Sequence, residues 1–209
     1  MPEDGIITKS HDDILRYEEI IMIAQAAANL GFRKIRLTGG EPLVRLGLVK
    51  LITALKGIPG LDDLSMTTNG ILLAQHAQAL AEAGLDRVNI SLDTLKEERF
   101  KTITRFGSLH DVLDGIESAH QHHLTPVKIN SVIIRGINDD EVVDLARKSL
   151  SDGWHLRFIE WMPVGEAAAD SNDWESRIVT EDEIHERITS VLGPLGEAPT
   201  TLGSGPART

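Results

Sequence analysis

Five times along this chain a short apolar run gives way to an amphipathic stretch, and that alternation constrains the fold more than any other feature. "KIRLT" precedes "LVKLITALKG", "DLSMTTNG" precedes "AQHAQALAEAG", and "RVNISLD" precedes "KEERFKTI" and "LHDVLDGIESAH". "VKINSVII" then precedes "DDEVVDLARKSL", and "LRFIEWMP" leads across a polar stretch from Glu166 to Ser176 to "TEDEIHERITSVLG". The pattern predicts an α/β fold with a parallel sheet covered by helices, either an open doubly wound sheet or part of a (β/α) barrel. Ahead of the first unit, Ile20, Ile23, Ala24 and Ala27 recur at helical spacing and Gly31 follows as a stop, which predicts a helix from Glu18 to Asn29.

Composition limits the partners. With 209 residues, 41% of them hydrophobic, the chain can bury one large core or at most two small ones. Its acidic start, "MPEDGIITKSHDD", lacks the order of a secretory signal. The longest apolar run, Ile20 to Leu30, is interrupted by Gln25 and Asn29 and is too short to span a bilayer. A cytoplasmic chain without a membrane partner is expected. A formal charge of -11 and 4% aromatic content argue against nucleic acid, so an anionic ligand must meet locally placed bases. The tail "GEAPTTLGSGPART" carries no periodicity and is expected to be linker. His120, His122 and His123 do not share one helical face, so no metal site is assigned to them.

The polar residues direct attention to one sheet edge. Thr38 to Glu41, Thr67 to Gly70, Ser91 with Asp93, Asn130 and Glu160 all fall at or near predicted strand C-termini, where barrels and open α/β sheets place their sites. The Gly39-Gly40 pair has neither the spacing of a dinucleotide fingerprint nor the lysine of a P-loop. Two glycines let a ligand approach the main chain, and Pro42 stiffens the backbone just beyond Glu41, giving a turn suited to an ammonium-bearing ligand. The chain has no cysteine, hence no thiolate for catalysis, zinc or an iron–sulfur cluster.

"LTGGEP" resembles the glycine-rich motif of radical S-adenosylmethionine enzymes, whose turn receives the methionine amino group of that cofactor. The ordered set "KIRLTGGEPLVR", "MTTNG", "VNISLDTL", "VKINSVIIRGIND" and "LRFIEWMPVG" is similar to the GTP 3′,8-cyclase family of molybdenum cofactor synthesis, from Met1 to about Leu192. The resemblance implies a partial (β/α) barrel of the radical SAM type, S-adenosylmethionine as cofactor, GTP as substrate, two [4Fe–4S] clusters in full-length members, and a homodimer. In that family a 5′-deoxyadenosyl radical removes the ribose 3′ hydrogen so that C3′ joins C8 of guanine. By resemblance Gly40, Ser91 and Met162, with Gly39 and Glu41 of the same turn, fall on cofactor contacts. Arg36, Thr67 and Lys128 fall on GTP contacts, and Arg157 falls near the reacting centre in a catalytic role. Arg36, Lys128 and Arg157 lie inside predicted strands, where a cation is unwelcome unless it points into a barrel toward a phosphate or a guanine edge. For Arg157 the residues alone leave open an ion pair with Glu160.

The resemblance also marks departures. "MPEDG" resembles the family sequence just after its third cluster cysteine, and "GSGPART" resembles the approach to a C-terminal extension that carries three more. A truncated core over residues 1–192 is therefore expected, with residues 193–209 as linker, the first strand and both cluster-bearing ends missing, and no activity alone. Gly47 stands where an acidic helix cap is usual in the family. Two other readings are a peptide-modifying radical SAM enzyme, disfavoured by Arg36 and Lys128, and a catalytically dead nucleotide-binding module.

Overall fold

The computed structural model describes residues 14–162 and 174–196. Most of the polar stretch after Glu166 and the tail from residue 197 lie outside the described residues, as does the opening segment to residue 13. Five strands, β1 (Lys34–Leu37), β2 (Asp63–Thr68), β3 (Arg87–Ser91), β4 (Lys128–Ile133) and β5 (His155–Glu160), form one sheet in sequence order, and each pairs with the next in parallel. The crossovers carry α2 (Leu48–Lys56), α3 (Leu73–Glu82), α4 (Glu97–Thr104) with α5 (Leu109–Gln121), and α6 (Val142–Asp152). α1 (Tyr17–Asn29) precedes β1 and α7 (Glu181–Leu192) follows β5. This is the expected α/β architecture, with the strand order of a (β/α) barrel wall.

Alternation along the strands sorts the side chains into two faces. Ile35, Leu37, Leu64, Met66, Val88, Ile90 and Ile129 point to the helices, and all but the two β1 residues are essentially fully buried. They meet Leu51, Ile52 and Leu55 of α2, Ala77 and Leu80 of α3, and Val112 and Ile116 of α5. A second cluster joins Ile133 to Val142 and Leu145 of α6 and to Ile184 and Ile188 of α7. Gly115 lets α5 close on the turn after β2, because a Cβ there would stand 2.6 Å from the Gly70 carbonyl oxygen. At the end of α1, Gly31 (φ +94°) donates to the Ala28 carbonyl and Phe32 to that of Ala27, so the expected glycine stop is in place. Gly47 caps α2 with a left-handed φ of 78° and no side-chain bond.

Asn130 departs from its expected place. It is the third residue of a six-residue strand rather than its end, because β4 continues through Ser131, Val132 and Ile133.

Candidate active site

Every residue that the register places together on the second face of the sheet is polar over three successive rungs. Arg36 aligns with Ser65 and Arg87. Thr67 aligns with Asn89, Asn89 with Lys128, and Lys128 with His155. Ser91 aligns with Asn130 and Arg157. The middle rung joins the fifth residue of β2, the third of β3 and the first of β4 and β5, the stagger of strands tilted in a barrel wall. A polar face opposite an apolar one is what a parallel strand shows when one side lines a cavity instead of a helix layer.

Positive charge dominates this face. Arg36, Arg87, Lys128 and Arg157 stand on four strands, with His155 beside them. Asp63, at the start of β2, is the single carboxylate that the strands place there among the described residues, and it pairs with Arg87. Burial lowers the Lys128 pKa, and the charges of Arg157, Arg87 and Arg36 lower it further. Arg157 is pushed the same way, by burial first and then by Arg36 and Arg87. His155 is held below its ordinary value by burial, Lys128, Arg157 and His120. Cations that depress one another across a semi-buried face have an unmet need for an anion.

Arg157 does not take the ion pair with Glu160 that the residues alone allowed. The two lie three positions apart on β5 and so on opposite faces, and Glu160 Oε1 instead accepts the Glu181 main-chain N–H at 2.8 Å.

The remaining expected residues gather at the C-terminal rim. Gly39 and Gly40 follow β1, Ser91 ends β3, and Met162 stands two residues beyond β5 with 70% of its surface exposed. A Cβ at Gly39 or Gly40 would meet nothing within 4 Å, so the turn presents open main chain. Glu41 has another employment. Its Oε1 accepts the Leu43 N–H and the Thr68 hydroxyl, and its Oε2 accepts the Asn69 N–H, which stitches the glycine turn to the turn after β2. Below the Ser91 turn, Asp93 accepts the Val132 N–H and burial raises its pKa. Glu141, itself buried, receives Thr94 Oγ1, the Leu95 N–H and Arg99.

Arg87, Asn89 and His155 were not among the expected site residues. The available signal was spacing by two: Arg87 and Asn89 precede Ser91 at even intervals, and His155 precedes Arg157.

An open, glycine-lined turn at the C-terminal edge of a parallel sheet, with a cationic face on the same sheet, is the arrangement in which α/β enzymes place a binding site. A family model described as the Radical SAM superfamily matches residues 5–148, and the chain belongs to that superfamily. It is 50% identical to the GTP 3′,8-cyclase of Pelotomaculum thermopropionicum over its whole length, covering 63% of that protein. It is 51% identical to that of Moorella thermoacetica over 99% of its length, covering 62%. The chain thus spans less than two thirds of the curated relatives it matches. A solved methylornithine synthase shares the fold with a TM-score of 0.65 and 17% identity, over 87% of this chain and 54% of that one.

The two groups that the superfamily implies fit these residues differently. The Gly39-Gly40 turn offers the space and free main chain that S-adenosylmethionine requires. An iron–sulfur cluster has no thiolate among the 209 residues, and no group of three metal-binding side chains forms among the described ones. A thiolate ligand for such a cluster is not supplied by this sequence. No described helix is long and apolar enough to cross a membrane.

Proposed function

We propose that this chain is the central part of a GTP 3′,8-cyclase, supplying the cofactor turn and most of the nucleotide face of a longer enzyme. The observation that carries the reading is the cluster of Arg36, Arg87, Lys128 and Arg157 around one carboxylate, directly beneath the glycine turn. Arg36, Thr67 and Lys128 bind GTP through charge-assisted and hydroxyl hydrogen bonds. Gly39, Gly40, Ser91 and Met162 hold S-adenosylmethionine at the rim, and Glu41 sets the shape of that turn. The bound cofactor supplies the hydrogen-abstracting group. Arg157, one rung above Lys128 on the neighbouring strand, lies between the two ligands and fixes their approach. Molybdenum cofactor synthesis is the pathway this activity would serve.

Because no thiolate is present, the 209 residues alone bind nucleotide without turning it over. The test joins the chain to the flanking segments of the Moorella thermoacetica relative, reconstitutes it anaerobically with iron, sulfide and S-adenosylmethionine, and measures 5′-deoxyadenosine and cyclised product from GTP. The fusion should be active and the 209-residue chain inactive. A fusion that forms 5′-deoxyadenosine but leaves GTP unchanged would point to another radical SAM substrate.

A further inference from the structure

Asn89 lies at the centre of the polar face, in register with Thr67 on one side and Lys128 on the other. Only 1% of its surface is exposed. Its Nδ2 donates to the Met66 carbonyl oxygen at 3.3 Å, which fixes the plane of the amide. Its Oδ1 is buried and meets no donor among the described residues. An unpaired buried carbonyl is costly, and native structures leave few of them without a reason.

The nearest candidates in the face do not relieve it. Lys128, 5% exposed, is the neighbour in the same rung, yet no hydrogen bond joins its ammonium to Asn89 or to any other described residue. The Thr67 hydroxyl, on the other side, makes none either. A buried acceptor without a donor thus stands beside a cation that is free to hold an anion. A phosphate satisfies the cation but not the acceptor, since two oxygens repel. A ligand that carries an anion and, a short distance away, an O–H or N–H donor meets both needs at once.

We infer that Asn89 is a ligand-reading residue whose Oδ1 accepts a hydrogen bond from the nucleoside part of the substrate, a ribose hydroxyl or the guanine amino group, while Lys128 holds a phosphate of the same molecule. The inference rests on the nucleotide reading of this face and adds to it a division of labour: the cations bind polyphosphate of any origin, and Asn89 distinguishes a nucleotide from bare polyphosphate. A site built to bond a polar donor rejects a ligand that lacks it, because its own buried group is then left unpaired.

Calorimetry on the 209-residue chain tests this with GTP, 2′-deoxy-GTP, 3′-deoxy-GTP, ITP and tripolyphosphate, on the unaltered chain and on Asn89→Leu and Asn89→Ser. Asn89→Leu keeps the branched shape and removes the acceptor together with the Nδ2 donor to Met66, and it should weaken GTP roughly tenfold while tripolyphosphate changes less than about twofold. On the unaltered chain one analogue should show a comparable loss: a deoxy form if a ribose hydroxyl is read, ITP if the amino group is. Should Asn89→Leu not fold, Asn89→Ser and the analogue series carry the test.

Equal GTP affinity in the variants, equal losses for GTP and tripolyphosphate, or analogues that all bind like GTP would each overturn the role of Asn89 and leave the nucleotide face standing. An unaltered chain that binds neither GTP nor tripolyphosphate would overturn the nucleotide reading itself, and Asn89 with it.

Discussion

Glu41 Oε2 accepts the Asn69 main-chain N–H at 2.7 Å, and Glu41 Oε1 accepts the Thr68 hydroxyl at 2.8 Å. One carboxylate therefore fixes the turns after two adjacent strands relative to each other, and with them the open main chain of Gly39 and Gly40. Glu41→Ala should destabilise the chain by about 1–3 kcal/mol, because the Leu43 and Asn69 donors and the Thr68 hydroxyl lose their acceptor together. Glu41→Gln retains one acceptor and should cost less. Chemical denaturation of both variants checks the order, and an unchanged Glu41→Ala midpoint would remove the joint.

Asp63 is the counter-ion of a face crowded with cations. Its pair with Arg87 is mostly buried, at 17% and 18% side-chain exposure. Asp63→Asn should lower stability by about 2 kcal/mol, since Arg87 then loses its carboxylate partner and Lys128 loses the one charge that offsets its neighbouring cations. Millimolar tripolyphosphate should restore much of the lost melting temperature in the variant and raise it in the parent. A variant as stable as the parent, and indifferent to the anion, would show that the face carries no such strain.

Two glycines should respond in opposite ways. Gly40→Val adds bulk into open space and should leave the melting temperature nearly unchanged while weakening S-adenosylmethionine binding tenfold or more. Gly115→Ala places a methyl 2.6 Å from the Gly70 carbonyl oxygen and 3.1 Å from Leu73 Cβ, which forces α5 away from the turn after β2 and the start of α3. It should cost about 1–3 kcal/mol without touching a ligand. Thermal melts and calorimetry separate the two cases.

The pH dependence has its source in His155. Its folded pKa lies below the ordinary 6.5, through burial and the facing charges of Lys128, Arg157 and His120. The unfolded chain therefore takes up the proton more readily, and stability falls as pH drops below 6.5 through the depressed value. His155→Gln should flatten that decline. A separate loss at lower pH remains, because Asp140, held to about 2 by Arg99 and Lys96, contributes stability above 3.8 that disappears as pH falls toward its folded value. An anion bound on the face opposes the depression of His155, so tripolyphosphate binding should be accompanied by proton uptake near pH 6, measurable as a buffer-dependent heat. Identical profiles for His155→Gln and the parent would count against this account.

Much of the fold could be read from spacing alone, since each strand is a short apolar run and each helix has one apolar stripe. "KEERFKTI" is displaced by one residue from α4, Glu97–Thr104. "DDEVVDLARKSL" is divided into a 3-10 turn, Asp139–Glu141, and α6, because Glu141 is drawn inward by Thr94 and Arg99. Arg36, Lys128 and Arg157 were legible as cations inside strands, and Thr67 as one of the polar residues at a strand's C-terminal end. Arg87, Asn89 and His155 were not singled out, because attention to strand C-termini passes over residues near strand starts. Their level within the sheet depends on how far each strand slides past its neighbour, and no local pattern encodes that slide.

The stagger of the middle rung has a consequence for how such a chain can change. Because Lys128 opens its strand while Thr67 nearly closes another, the short connection "TPV" before β4 sets the phase of an entire wall of the cavity. Losing one residue there would put Ile129 and Ser131 where Lys128 and Asn130 stand, and gaining one would put Val127 and Ile129 there, so this strand would withdraw its charge from the lining while the composition stayed almost untouched. Two residues would keep the same face inward but move each group one storey along it. This short connection is constrained like a reading frame.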